Sequence, residues 1–155
     1  MTIALWVNSL YHAVMMNLIV EAGAWESALP NVQELTEAAL SFAEGELSLV
    51  LADDAFIQDL NHQFRGKEAP TNVLAFPSDD EDGYLGDVII ALETIQREAQ
   101  EQGKSLSDHF SHLAIHGGLH LMGYDHEDDK EAEEMESKEI ELLAKLNIAN
   151  PYETK

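Results

Sequence analysis

With 155 residues, 45% of them hydrophobic, the chain is long enough to bury the core of a single domain. It has no cysteine, so disulfides, thiolate metal ligands and a cysteine nucleophile are excluded, and a metal must be held by His, Asp or Glu; this suits a reducing cytoplasm, the expected location. Against 30 acidic residues stand 8 Lys and Arg, a net charge of −22, which excludes capture of nucleic acid by long-range attraction and describes a strongly solvated acidic surface.

Residues 1–20 carry 15 apolar side chains, yet the first Lys or Arg of the chain is Arg65. A secretory leader needs a positive start. Asn8, Ser9, His12 and Asn17 interrupt the run that a membrane span would need. Neither segment is therefore expected, and no membrane partner. Met15 and Met16 are alternative starts, which leaves residues 1–17 as an uncertain extension or a lead-in to a first strand at Leu18-Ile19-Val20. Residues 23–30 read as a connector, with Trp25 turned into the core. Asn31 followed by Glu34 is a capping-box-like start for a helix over about 32–43. Val32, Leu35, Ala39 and Phe42 form its apolar face, and Gly45 ends it. Residues 46–51 pass from alternating to continuously apolar, as a strand does. Asp53 or Asp54 caps a helix through Phe56, Ile57, Leu60 and Phe64 that stops near Gly66.

Residues 71–77 form a short β segment ended by Pro77, residues 78–83 an acidic turn, and residues 84–91 a strong strand. A helix over 93–102 ends at Gly103. Ser107 or Asp108 caps the next helix, which carries His109, His112, His116 and His120. There are 9 acidic residues between Glu127 and Glu141, but Met135, Ile140, Leu143 and Leu146 still mark a last amphipathic helix over about 128–146. Residues 150–155 are a tail that frays from Asn150. With no repeats and no long linker, residues 18–149 are expected to form one domain. The predicted class is α+β: a single small domain with one mixed β-sheet packed by helices, and a metal site on a helix and the turn after it.

Five of the 7 histidines lie between His109 and His126. His116 and His120 are four apart, so on a helix their imidazoles share a face and can point at one ion. Gly123 then offers a helix stop, because glycine takes the left-handed conformation without a Cβ clash. The chain can fold back and deliver His126 as a third ligand. Three nitrogen ligands with one position open is the arrangement of a catalytic zinc. The spacing is that of the metzincin peptidases, but their general base, a glutamate after the first histidine, is replaced by Gly117.

Three blocks in one order carry a wider resemblance: Leu60-Asn61 with Arg65-Gly66 and Pro70 to Pro77; Gly86 to Ile90; and His116 to His126. With Trp25, they make residues 18–147 resemble the YbeY family, bacterial metal-dependent endoribonucleases of single-stranded RNA in ribosomal RNA maturation and ribosome quality control. The resemblance implies that His116, His120 and His126 bind one Zn2+ per chain. It also implies that Arg65 faces the phosphate beside it, so that Arg65 and His116 are the candidate catalytic residues. Its expected partners are single-stranded or ribosomal RNA and proteins of the ribosomal particle, not DNA. The family usually has Asp and Ser where this chain has Asn72 and Ala75, and a bulkier residue at Gly118.

The expected chemistry is metal-assisted phosphodiester hydrolysis. Zinc would lower the pKa of a bound water and polarise a phosphoryl oxygen, and Arg65 would stabilise charge on the phosphate. Asp125, next to His126, is a candidate to orient an imidazole, and so is His112, one turn before His116. Tyr124 reads as a packing residue. The general base stays open, between the zinc-bound hydroxide and a displaced carboxylate. A zinc peptidase or amidase could use the same histidines with a base from elsewhere. A ribosome-assembly factor could use them for structural zinc. With so few cations, recognition of RNA on a ribosomal particle is expected, with protein contacts adding affinity.

Overall fold

The structure is a computed structural model that describes residues 2–8, 13–66, 71–79 and 83–153; His12, Lys67, residues 80–82 of the acidic turn and the side chain of Arg65 lie outside the described residues. The elements run β1 (Thr2–Asn8), β2 (Ala13–Val20), α1 (Ala24–Ala28), α2 (Val32–Leu40), β3 (Gly45–Ala52), α3 (Asp54–Arg65), β4 (Val73–Pro77), β5 (Tyr84–Ala91), α4 (Leu92–Gln102), α5 (Leu106–Leu121) and α6 (Asp129–Lys145). One five-stranded sheet has the order β1-β2-β3-β5-β4. β2, β3 and β5 are parallel, and β1 and β4 are antiparallel edges. The sheet is mixed and helix-packed, as the sequence predicts.

The strand expected at 18–20 is not the first and is longer: it is β2, Ala13–Val20, and β1 pairs with it from Thr2↔Ile19 to Asn8↔Ala13. The connector contains a short helix, α1, whose Trp25 is fully buried, donates from Nε1 to the Ala52 carbonyl at 2.8 Å and meets Phe110 edge-to-face. Among the described residues, no helix is long and apolar enough to cross a membrane.

Period-2 alternation divides the strands between two faces. Leu47, Leu49, Leu51, Val88 and Ile90 pack with α2 and α5 in the main core. Val50, Ala52, Ile89 and Ala91 pack with Ile57 and Leu60 of α3 on the other face. On β4, Val73 and Ala75 face the α5 side, and Leu74 and Phe76 the α3 side. Helix α5, which carries His109, His112, His116 and His120, therefore lies across one face of the sheet, with the edge strand β4 beside it.

Candidate metal centre

Helix α5 starts at Ser105, whose hydroxyl accepts from the Asp108 N–H at 3.1 Å. This cap lies two or three residues before the expected Ser107 or Asp108, because the side chain caps the third helical N–H. Phe110, Leu113, Ala114, Gly117 and Leu121 are buried, while His116 and His120 are half-buried. The helix ends as expected. Gly123 has φ +99°, the Gly123 N–H donates to the His120 carbonyl at 3.1 Å, and the Tyr124 N–H donates to the Leu119 carbonyl at 3.0 Å. This pair of bonds is a Schellman motif, and it turns the chain back over the helix end. Tyr124 packs against the core, and His126 arrives beside the two helical histidines.

The three rings meet. Centroids are 4.8 Å apart for His116 and His120, 5.1 Å for His120 and His126, and 5.9 Å for His116 and His126. Ligand nitrogens of all three lie within 4.8 Å of one another. His116 Nε2 and His120 Nε2 are 3.2 Å apart. Two nitrogens on a tetrahedral zinc with bonds of about 2.0–2.1 Å sit about 3.3–3.4 Å apart, so the spacing fits an ion of that size. Burial, together with repulsion from His116 and His126, holds His120 below the ordinary imidazole pKa and favours the neutral, ligating form.

The protonation of His116 is set from behind. Its Nδ1 lies 3.1 Å from Oε1 of Glu139 on α6, so Nδ1–H donates to the carboxylate and the Nε2 lone pair is left facing His120. The same Oε1 accepts from His112 Nε2 at 2.8 Å. The Glu139 side chain is completely buried. Burial pushes its carboxyl up, but the bonds and charges of His112 and His116 outweigh this and bring it down to about 2. The Tyr152 hydroxyl lies 3.0 Å from each Glu139 oxygen, and burial and the Glu139 charge hold that phenol protonated above its ordinary range.

The site residues read from the sequence separate accordingly. His116, His120 and His126 converge. His112 belongs to the Glu139 cluster and lies behind the site. The Asp125 carboxylate accepts from the His126 backbone N–H at 2.8 Å, shaping the turn rather than bonding an imidazole. Arg65 is the last residue of α3, before the left-handed cap Gly66. Glu139 and Tyr152 were not foreseen. The signal for Glu139 was available: an acid sharing the buried stripe of α6 with Met135, Leu142 and Leu143 needs a partner inside.

The histidines open on a cleft of about 430 Å³ walled by Asn72 and by β4. Asn72 donates from Nδ2 to Glu98 at 3.1 Å, and Glu98 accepts from His109 Nε2 at 2.9 Å. An aspartate at position 72 would set two carboxylates against each other. At Gly118, where the resemblance implies a bulkier residue, an added Cβ would lie 2.7 Å from Leu40 and 3.0 Å from Phe42, which fill that space.

Comparison with known proteins places this site in a family. The family model described as Endoribonuclease YbeY matches residues 17–147. The endoribonuclease YbeY of Paramagnetospirillum magneticum is 52% identical over 147 residues, covering 83% of this chain and 90% of that protein. That of Parvibaculum lavamentivorans is 44% identical over 164 residues, covering 94% and 89%. The solution structure of TM1509 from Thermotoga maritima is 28% identical, with a TM-score of 0.57 over 91% of this chain and 97% of that one. A helix–turn site with three converging histidines, on a chain matched over most of its length, leaves one assignment: the protein belongs to the endoribonuclease YbeY family.

Proposed function

We propose that the protein is a zinc-dependent endoribonuclease that cleaves single-stranded segments of ribosomal RNA during ribosome maturation and quality control in the cytoplasm. The observation that carries this reading is the convergence of His116, His120 and His126 at the floor of the β4 cleft, with Glu139 fixing the His116 tautomer. These three imidazoles would hold one Zn2+. When bound, zinc supplies Lewis acidity toward a phosphoryl oxygen and toward water.

The rest is the work of the chain. Glu139 keeps the proton on His116 Nδ1 and so keeps Nε2 free to ligate. Arg65, a planar fork suited to phosphate oxygens, would meet the developing negative charge. The neighbouring Phe64 is 65% exposed and packs on Phe76 on the α3 side of the edge strand β4, with ring centroids 5.3 Å apart, which leaves an aromatic face at the sheet edge on which a base can stack. The net charge of −22 weakens attraction to free RNA, which favours a substrate held on a ribosomal particle whose proteins add contacts.

The test pairs elemental analysis with cleavage of a labelled single-stranded RNA, free and within ribosomal particles, for wild type and His116→Ala. One zinc per chain and cleavage, both lost in the variant, is the expected result. Bound zinc without RNA cleavage in any arm would turn the reading toward an assembly factor, or toward a peptidase if unstructured peptides are cut. No metal in wild type would overturn it.

A further inference from the structure

The C-terminal segment leaves α6 along a defined path. The helix is capped at Leu146, Asn147 adopts the left-handed region with φ +62°, and the Ile148 N–H returns to the Leu143 carbonyl at 3.0 Å. This is again the Schellman geometry, and it sends Ile148 against the core. Asn150 then accepts from the Tyr152 N–H through its side chain at 2.8 Å, closing an Asx turn around Pro151. Residues that read in the sequence as the start of a frayed tail are thus a turn that carries one phenol back beneath the histidines. Tyr152 and Glu139 line a small cavity of about 90 Å³ together with His116 and His126.

The hydrogen bonds of Glu139 are unevenly shared. Oε1 takes His112 Nε2, His116 Nδ1 and the Tyr152 hydroxyl. Among the described residues, the hydrogen bond to Oε2 is the one from Tyr152, at 3.0 Å. The carboxylate is fully buried. Without that hydroxyl, Oε2 would lose the protein donor it has among the described residues, and the carboxylate would be free to rotate toward another partner. Rotation would draw Oε1 off His116 Nδ1, whose bond sets where His116 Nε2 points.

We propose that Tyr152 is a positioning residue for the metal centre: its hydroxyl locks the Glu139 carboxylate in the plane that orients His116, so the C-terminal turn tunes metal affinity. The inference rests on the reading of His116, His120 and His126 as a zinc site. Tyr152 is not one of the three proposed ligands: its hydroxyl meets Glu139 and, at 3.3 Å, His112 Nε2, and Glu139 is the partner it shares with His116.

The test is zinc affinity of the full chain, by competition with a chromophoric chelator, for wild type, Tyr152→Phe, Glu139→Gln and the double variant. Replacing a direct partner of a ligand typically costs roughly 10–100-fold, and Glu139→Gln is expected in that range. Tyr152→Phe, one bond further out, is expected to weaken binding about three- to tenfold and to shift the visible spectrum of the cobalt-substituted protein. In the Glu139→Gln background the same change is expected to do nothing further. Unchanged affinity in Tyr152→Phe, or an equal loss with and without Glu139, overturns the role of Tyr152 and leaves the metal site standing. Failure of wild type to bind zinc overturns the metal site, and the inference with it.

Discussion

Gly117 of α5 lies directly against Val88 of β5: a Cβ added at Gly117 would lie 2.5 Å from Val88 Cγ1 and 3.1 Å from Cγ2. The position that holds the general base in metzincin peptidases is here pressed against β5. Its missing side chain lets the helix settle deep enough for the histidines on the neighbouring faces to reach the cleft. A carboxylate at this position would have to displace a valine of the main core before it could serve any substrate.

Gly117→Ala is therefore expected to destabilise the fold by about 1–3 kcal/mol, the range for overpacking a well-filled core. Gly117→Glu should cost more and confer no peptidase activity. Urea denaturation of Gly117→Ala, alone and with Val88→Ala, measures this. The second change removes the clashing methyls, so the pair should lose less than the two separate losses combined. Strict additivity would show that Val88 is not what position 117 meets.

The contacts made within one short stretch could be read in advance. The stop at Gly123 and the delivery of His126 depend on residues a few positions apart, and so does the strand at 84–91, which the structure reproduces as Tyr84–Ala91. What escaped reading joins distant stretches. Glu139 meets His116 from 23 positions away, and no local rule pairs a carboxylate on one helix with an imidazole on another. β1 was hidden for a different reason: Ser9-Leu10-Tyr11-His12 contains no Gly or Pro to announce a hairpin. The apolar stripe of α6, expected to include Ile140, is centred instead on Met135, Glu139, Leu142 and Leu143. A buried acid looks like an exposed one when only its charge is read.

The pH dependence of stability should carry a signature of His109. Burial lowers its pKa from the ordinary 6.5, against the raising effect of the bond and charge of Glu98. The folded state thus disfavours the protonated imidazole. Below pH 6.5 the unfolded chain takes up a proton that the folded chain resists, so stability falls as pH falls, levelling off once the folded pKa is passed. Urea midpoints of the metal-free protein between pH 7 and 5 should drop more steeply for wild type than for His109→Gln. Identical slopes would remove His109 from the account.

Tyr84 should act in the opposite pH range. Its hydroxyl donates to Asp87 and lies 2.8 Å from the Ser48 hydroxyl, and burial first, then the Asp87 bond, raises its pKa above 10. The folded state favours the neutral phenol, so this contribution is complete below pH 10 and is lost as pH rises, when the unfolded chain ionises first. Tyr84→Phe should therefore flatten the alkaline fall in stability. A spectrophotometric titration at the tyrosinate band should show one phenol fewer ionising late. An unchanged late phase would assign it to other tyrosines.

Arg65 is the sharpest test of the nuclease reading. The chain has 8 basic residues against 30 acidic ones, and only 2 of the 8 are arginines, so the phosphate contact proposed for Arg65, the last residue of α3, has few substitutes. Removing one preorganised group that stabilises transition-state charge typically costs about 10²–10³ in kcat. Arg65→Ala is expected to lose cleavage by that factor while keeping its zinc. Arg65→Lys should recover part of it, because lysine restores the charge without the bidentate fork. Single-turnover cleavage of single-stranded RNA, with zinc measured on the same preparations, separates the cases. Loss of zinc together with activity would make Arg65 a structural residue. Full activity in Arg65→Ala would remove it from the chemistry and move the search for the phosphate-binding group to the other cations.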